Sequence, residues 1–389
     1  MTQRDTMTSR QRLQTAIRHE VPDRVPLDLG GFQTGIHRLA YLDLLKHLGI
    51  EDDVTILDPV QQLAKPCEAV LERLRIDTRY VVAHGPESFT GGIEQNTRDG
   101  RLWHDLKDEF GVVWSMPDDE QLYMDISHHP LAAASIDEIR NYPFPRGDDP
   151  TRFTGVREAA LRLRNETPYA LCTGIGGVVY ETCWYMRGLE RWFMDTIENL
   201  SVCELLLDRM AEYWIGFYTA FMAEVGDLVD VVMIGDDLAG QRGPLFSPVT
   251  YRELVKPRQK RLVQHIKSLT NAKIWYHTCG ACTVYIPELA DNGVDILNPV
   301  QIGIEDMEPQ SLKARFGKQM VFWGGGIDAQ HVLPTATPAE VREHVRRNIS
   351  AFKPGGGYVF NNVHNIQAGV PAANVVALFD AAHEFGAYA

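Results

Sequence analysis

The chain has 389 residues, 44% of them hydrophobic and 23% charged, with a net charge of −14. That composition belongs to a globular protein with ample chain for a large core, and the acidic balance argues against nucleic acid and anionic membrane surfaces as partners. No stretch approaches the roughly 20 apolar residues of a membrane span. Met1-Thr-Gln-Arg-Asp opens no secretory signal, and six scattered cysteines do not make a disulfide framework. The expected compartment is a reducing cytoplasm.

Thr8-Ser9 caps a first amphipathic helix over residues 10–19, with Leu13, Ala16 and Ile17 on one side. Leu27-Asp28-Leu29-Gly30-Gly31 reads as a strand leaving into a loop, residues 38–48 as a helix and 75–83 as a strand. Residues 86–130 differ in character. Short alternating pieces around Asp99-Gly100 predict an inserted antiparallel β-hairpin, and 143–150 is a proline-rich connector. A regular pattern follows. A helix at 157–166, a strand at 169–172 and a glycine loop at 174–177 lead to helices at 180–207 and 210–225. The strand at 230–234 ends in Gly235-Asp236-Asp237 and precedes a helix at 248–269. The strand at 273–276 ends in His277, and a helix follows at 285–292. The strand at 294–297 ends in Asn298-Pro299 and precedes a short helix at 312–316. The strand at 319–323 ends in three glycines and precedes a helix at 338–352. The strand at 358–360 ends in Asn361-Asn362-Val363-His364, and the last helix covers 371–385. Strands alternating with helices at this spacing mean βαβ units and a parallel sheet. Their number favours an α/β fold with one (β/α)8 TIM barrel spanning 1–389. No G-x-G-x-x-G lies at a strand-to-helix turn and there is no Walker A loop, which excludes dinucleotide and P-loop chemistry.

Barrel chemistry collects at the carboxyl ends of the strands. His277 and Cys279 end one strand, and residues i and i+2 of an extended chain share a side. An imidazole and a thiolate aimed at one point suit zinc; taken alone, the pair also reads as a half-buried histidine beside an inert thiol. A catalytic zinc needs three protein ligands and an open position, and His364, just past a later strand end, completes a set of His277, Cys279 and His364. Asp236 or Asp237 would orient a ligand histidine, exchange a proton or add an oxygen ligand. The same two aspartates also read as a turn cap, and His364 as a hydrogen-bonded loop residue. Cys282 shares knuckle spacing with Cys279 but lacks a partner pair. Asp28, Tyr276, Asn298 and Asn361 are the strand-end candidates for holding substrate, and His128-His129 read as surface.

Gly235-Asp-Asp-Leu-Ala-Gly-Gln, Ser247-Pro-Val-Thr-Tyr-Arg, His277-Thr-Cys-Gly and Asp295-Ile-Leu-Asn-Pro-Val-Gln form a set with Gly324-Gly-Gly-Ile-Asp, Gly355-Gly-Gly-Tyr and Val363-His-Asn-Ile-Gln. Together they resemble the uroporphyrinogen decarboxylase superfamily, over essentially residues 8–388. The resemblance implies a TIM barrel, often dimeric. One branch decarboxylates a tetrapyrrole and carries an Arg-Gln-Ala-Gly-Arg loop after the first strand. Here that place reads Asp28-Leu-Gly-Gly-Phe-Gln-Thr-Gly, without the arginines that would match an acidic porphyrinogen. The other branch, the cobalamin-linked methyltransferases, has a zinc site of His-x-Cys followed by a distant Cys. His277 and Cys279 match its first two positions, and the third falls on His364, a departure that exchanges a thiolate for a neutral donor. The resemblance therefore implies a zinc-dependent methyltransferase. Its methyl group would move between a small thiol or methoxy compound and a cobalamin held by a separate corrinoid protein. The alternatives are a metal-free decarboxylase or lyase acting on a small acid or tetrapyrrole, with His277 and Asp236 as acid and base, and a non-catalytic corrinoid- or tetrapyrrole-binding protein.

Overall fold

Short apolar runs between amphipathic helices build one curled parallel sheet. In the computed structural model, which describes residues 5–89, 91–174 and 176–388, an extended segment at residues 25–29 (β1) precedes seven strands. These are Thr78–Val81 (β2), Ala170–Thr173 (β3), Val231–Gly235 (β4), Lys273–His277 (β5), Ile296–Asn298 (β6), Val321–Trp323 (β7) and Tyr358–Val359 (β8). β2 to β8 pair in chain order, each parallel to the next. β1 joins the two edges. Leu27 bridges Phe360 in parallel, Phe360 N donates to Pro26 O at 2.8 Å, and Asp77 N donates to Leu27 O at 2.8 Å. The ring so closed is the TIM barrel that the alternation predicts.

Side chains alternate across each strand. Cys172, Met233, Trp275, Trp323 and Val359 point inward and pack with Leu13 of the first helix and Ile17 just past its end, so that this segment plugs the amino-terminal end of the barrel. The outward set packs under the surrounding helices. Each fully buried Leu, Ile or Phe contributes about 1.5–3 kcal/mol, so the helical layer is bound chiefly by this apolar contact. The amino-terminal end is tied by charge as well. Buried Asp77 accepts from Arg12 Nη1 and Arg24 Nη1, each at 2.7 Å, and from Leu27 N at 2.8 Å.

The insert is larger than the expected hairpin. Ile93–Arg98, Arg101–Lys107, Val113–Pro117 and Asp125–His128 form a four-stranded antiparallel sheet. Asp99 and Gly100 turn its first pair with φ of 51° and 79°, the positive pair that a two-residue hairpin turn needs. A second sheet, of Ile36–His37, Leu63–Lys65 and Thr55–Asp58, has no counterpart in the sequence reading, its strands being two to four residues long. The first helix is Ser9–Ala16, shorter than expected. The two helices expected over 180–225 are three, Val179–Arg187, Leu189–Glu198 and Leu200–Val225, broken first at Gly188 with φ 87°. Among the described residues no helix is long and apolar enough to cross a membrane.

Removing one member of a buried ion-pair cluster strands the others in an apolar setting, at a cost of about 3–5 kcal/mol. Asp77→Ala leaves Arg12 and Arg24 without their shared carboxylate, and a drop of that size is expected in the urea-unfolding free energy. A change under about 1 kcal/mol would show that the cluster is not holding the barrel closed.

Candidate functional site

Parallel pairing places Gly235, His277 and Asn298 side by side at the carboxyl ends of β4, β5 and β6. Gly235 is required there: a Cβ at that position would lie 2.7 Å from the His277 Cβ. His277 shares the inward side of β5 with Trp275, and their rings stack at 5.9 Å. Asn298 Nδ2 donates to Trp323 O at 3.0 Å, which turns its Oδ1 toward His277 Nδ1 at 2.7 Å. An amide oxygen only accepts, so Nδ1 carries the proton and Nε2 presents its lone pair to the barrel mouth.

Nε2 lies 3.4 Å from Cys279 Sγ. The chain turns sharply after Cys279 at Gly280, φ 83°, where a Cβ would strike the carbonyl oxygens of Ala239 and Gly240 at 2.5 Å. His364 comes from the loop after β8 in a left-handed conformation, φ 59°, uncommon outside glycine and frequent at functional sites. Its ring meets that of His277 at 5.2 Å between centroids. One donor atom from each of His277, Cys279 and His364 falls within 4.8 Å of the others.

These three donors fit a zinc ion. At Zn–S of about 2.3 Å and Zn–N of about 2.0 Å, tetrahedral donors lie roughly 3.3–3.6 Å apart, and the Nε2–Sγ separation is already in that range. Burial holds His277 down to about 4. Burial and the adjacent His277 hold His364 down to about 3. Both imidazoles are therefore neutral and available as ligands near neutral pH. Burial and the nearby Asp237 push the Cys279 thiol well up, a penalty that a bound cation would reverse.

The adjacent aspartates differ in role. Asp236 is fully buried and faces away from the donor cluster. It accepts from Val179 N, Tyr180 N and Glu181 N at 3.2, 2.8 and 2.8 Å, and from Gln259 Nε2 at 2.8 Å. It thus satisfies the orphan donors at the start of a helix, and burial lifts its carboxyl to about 7 against the pull of those donors. The catalytic role expected of Asp236 would thus fall on a carboxylate already engaged by four donors. Asp237 does reach the site. Its Oδ1 accepts from Cys279 N at 2.7 Å and stands 3.8 Å from His277 Nε2. Its own N donates to Glu181 Oε2 at 3.0 Å, and Tyr185 OH donates to the other Glu181 oxygen at 3.0 Å. Burial and the neighbouring carboxylates of Asp237 and Asp236 push Glu181 well up. The sequence reading overlooks Glu181, which looks like an ordinary first-turn acid of a helix.

Asp237, Cys279 and His364 line a cavity of about 360 Å³, whose remaining polar walls are Gln241, Gln301, Gln330, Asn365 and Gln367. None of the four residues expected to hold substrate lines it. Tyr276 sits on the outward side of β5, where its hydroxyl accepts from Gln259 Nε2 at 2.6 Å, as a strand's alternation requires of the neighbour of an inward His277. Asp28 is fully buried, bonded by Thr78 Oγ1, by Tyr80 OH at 2.8 Å and by Trp323 Nε1 at 2.9 Å. Asn361 donates to Asp28 O at 2.8 Å, and Asn298 supports His277. Cys282 is buried outside the donor cluster.

A closed (β/α)8 barrel with a histidine–thiol donor cluster at its mouth defines the class of the molecule. Residues 106–385 match the family model described as uroporphyrinogen decarboxylase (URO-D), and the chain belongs to that family. It is 26% identical over 253 residues to a uroporphyrinogen decarboxylase of Psychromonas ingrahamii, a match covering 62% of this chain and 66% of that one. It is 25% identical over 296 residues to the uroporphyrinogen decarboxylase of Ectopseudomonas mendocina, covering 72% and 78%. Among solved structures it is similar to a methyltransferase from Methanosarcina mazei, with a TM-score of 0.63, 19% identity, and coverage of 97% of this chain and 99% of that one. That likeness shows the fold.

Two outcomes follow from the donor geometry. Asn298→Ala removes the acceptor that fixes the His277 tautomer, and zinc affinity measured by chelator competition should fall about 10–100-fold; unchanged affinity would contradict the tautomer argument. In metal-stripped protein the unfolded imidazoles take up protons near their ordinary value of about 6.5, whereas folded His277 resists until about 4. The unfolded state therefore binds more protons in this window, and stability is lost as pH falls from about 6.5 toward 4. A urea midpoint that is flat across that range would refute the burial of neutral imidazoles.

Proposed function

We propose that this protein is a zinc-dependent methyltransferase that moves a methyl group between a small thiol or methoxy compound and a corrinoid carried by a separate protein. The observation that carries the reading is the convergence of His277, Cys279 and His364 within 4.8 Å at the barrel mouth, beside a cavity open to a small molecule. When bound, zinc would act as a Lewis acid that lowers a thiol's pKa or polarises a methoxy oxygen. The chain's own residues supply the rest. Asn298 fixes the lone pair of His277. Asp237 holds the Cys279 backbone and stands where it can take a proton from an entering substrate. The Gly280 turn packs against the Ala239–Gly240 segment and leaves Cys279 on the cavity wall. The Methanosarcina mazei neighbour is named a methyltransferase; its likeness supports the fold, and the donor set supports the chemistry.

A metal-free decarboxylase or lyase is the second reading, favoured by the names of the relatives. It has less support from the geometry. Asp236, its expected acid or base, is engaged by four donors, and the loop after β1 lacks arginines.

Purified protein is expected to hold about one zinc per chain, and His277→Ala or Cys279→Ser to weaken zinc binding roughly 100-fold or more. With methylcobalamin as donor and a simple thiol as acceptor, thioether formation should depend on zinc. Full activity in zinc-free protein would end the proposal and leave the lyase reading standing.

A further inference from the structure

We infer that the substrate taken by this cavity is a small uncharged molecule, and that the site selects against anions. The inference rests on the methyltransferase reading and adds the class of substrate to it. The polar walls are five carboxamides, Gln241, Gln301, Gln330, Asn365 and Gln367, with Asp237 the acidic member; among the described residues no lysine or arginine lines the cavity. Arg242, next in the chain to Gln241, is exposed on the turn of a short hairpin and is not part of the lining.

The amides are already oriented. Gln301 Oε1 accepts from Gly280 N at 2.8 Å, leaving its NH2 group for a ligand. Gln241 Nε2 donates to Gln330 Oε1 at 3.2 Å, which spans the mouth from the loop after β4 to the loop after β7. That leaves one acceptor on Gln241 and one NH2 group on Gln330. Gln367 Nε2 donates to Tyr123 OH and to Asn365 O at 3.2 and 3.1 Å, leaving its oxygen. The free groups are thus both donors and acceptors, the pattern that matches hydroxyl, ether or amide atoms. Charge points the same way. Among the described residues the lining offers one acidic side chain, Asp237, and no lysine or arginine. Behind Asp237 lies another carboxyl side chain, that of Glu181, bonded to Asp237 N. A sulfonate or carboxylate entering here would lose its water without a basic side chain to meet it. At about 360 Å³ the cavity is near the lower bound for small-molecule sites, which also suits a compact ligand.

Two thiols that differ in the charge of the remote group test this. Zinc-loaded protein is titrated calorimetrically with 2-mercaptoethanol and with 2-mercaptoethanesulfonate. The alcohol is expected to bind about 10-fold or more tightly than the sulfonate. Gln330→Arg, which puts a cation at the exposed rim, should raise the sulfonate affinity several-fold and narrow the ratio between the two thiols. A sulfonate that binds as tightly as the alcohol, a ratio unmoved in Gln330→Arg, or binding of neither thiol overturns the substrate class while the zinc content stands. Protein that takes up no zinc overturns the reading beneath it.

Discussion

The hydrogen bond between His277 Nδ1 and Asn298 Oδ1 exists because parallel pairing sets the two residues in register at the ends of adjacent strands. Everything at the mouth follows from that register. One residue of slip would turn His277 outward under the helices and bring Tyr276 to the mouth. The strand interior prevents it, since Trp275 and Trp323 fill the barrel on the same side and Tyr276 is anchored outside by Gln259. Packing in the core and direction at the site are thus one constraint. Asn298 continues it through Trp323, whose ring N–H donates to Asp28, so a polar chain crosses β5, β6, β7 and β1 beneath the donor cluster.

The loop carrying His364 has no strand register to hold it and is fixed instead by amides from three directions. Gly35 N donates to Asn365 Oδ1 at 2.6 Å, and Asn365 Nδ2 donates to Phe32 O and to Gln61 Oε1, both at 2.9 Å. Tyr123, from the inserted sheet, donates to Gln61 Oε1 at 3.3 Å and receives Gln367 Nε2. The insert is therefore joined to the mouth and contributes to the wall behind the third donor. The left-handed backbone at His364 costs of order 1 kcal/mol or more, and this network offsets it.

How much was legible depends on whether the signal was local. Strand ends marked by polar residues after apolar runs were readable, because alternation and the strand-to-loop switch are written in consecutive residues. That is why His277, Cys279 and the barrel itself could be read from the chain. The side of a single position was harder. Tyr276 and His277 are adjacent, and assigning both to the mouth ignored the period of two. The cavity walls were not readable as walls. Gln241, Gln301 and Gln367 close motifs that carry the family resemblance and Gln330 lies in none of them, but all four lie in loops whose paths are set by tertiary contacts such as the Gly280 turn, so their convergence is not written in the chain. The short strands at 36–37, 55–58 and 63–65 were missed for the opposite reason, having too few residues to show any period.

Asp236 and Asp237 show why a carboxylate at a strand end is not by itself a catalytic group. They are consecutive, so one faces the helix that follows β3 and the other faces the mouth. The first meets three backbone N–H groups and an amide, a full complement for its two oxygens, and its removal would loosen the start of the Val179–Arg187 helix. The second has one oxygen committed to Cys279 N. Yet the two are coupled through the chain between them. By fixing the start of that helix, Asp236 fixes Glu181, and Glu181 in turn holds the backbone N–H of Asp237. The buried aspartate thus acts on the site by determining where its neighbour stands, and the mouth inherits its geometry from a helix terminus on the other side of the sheet.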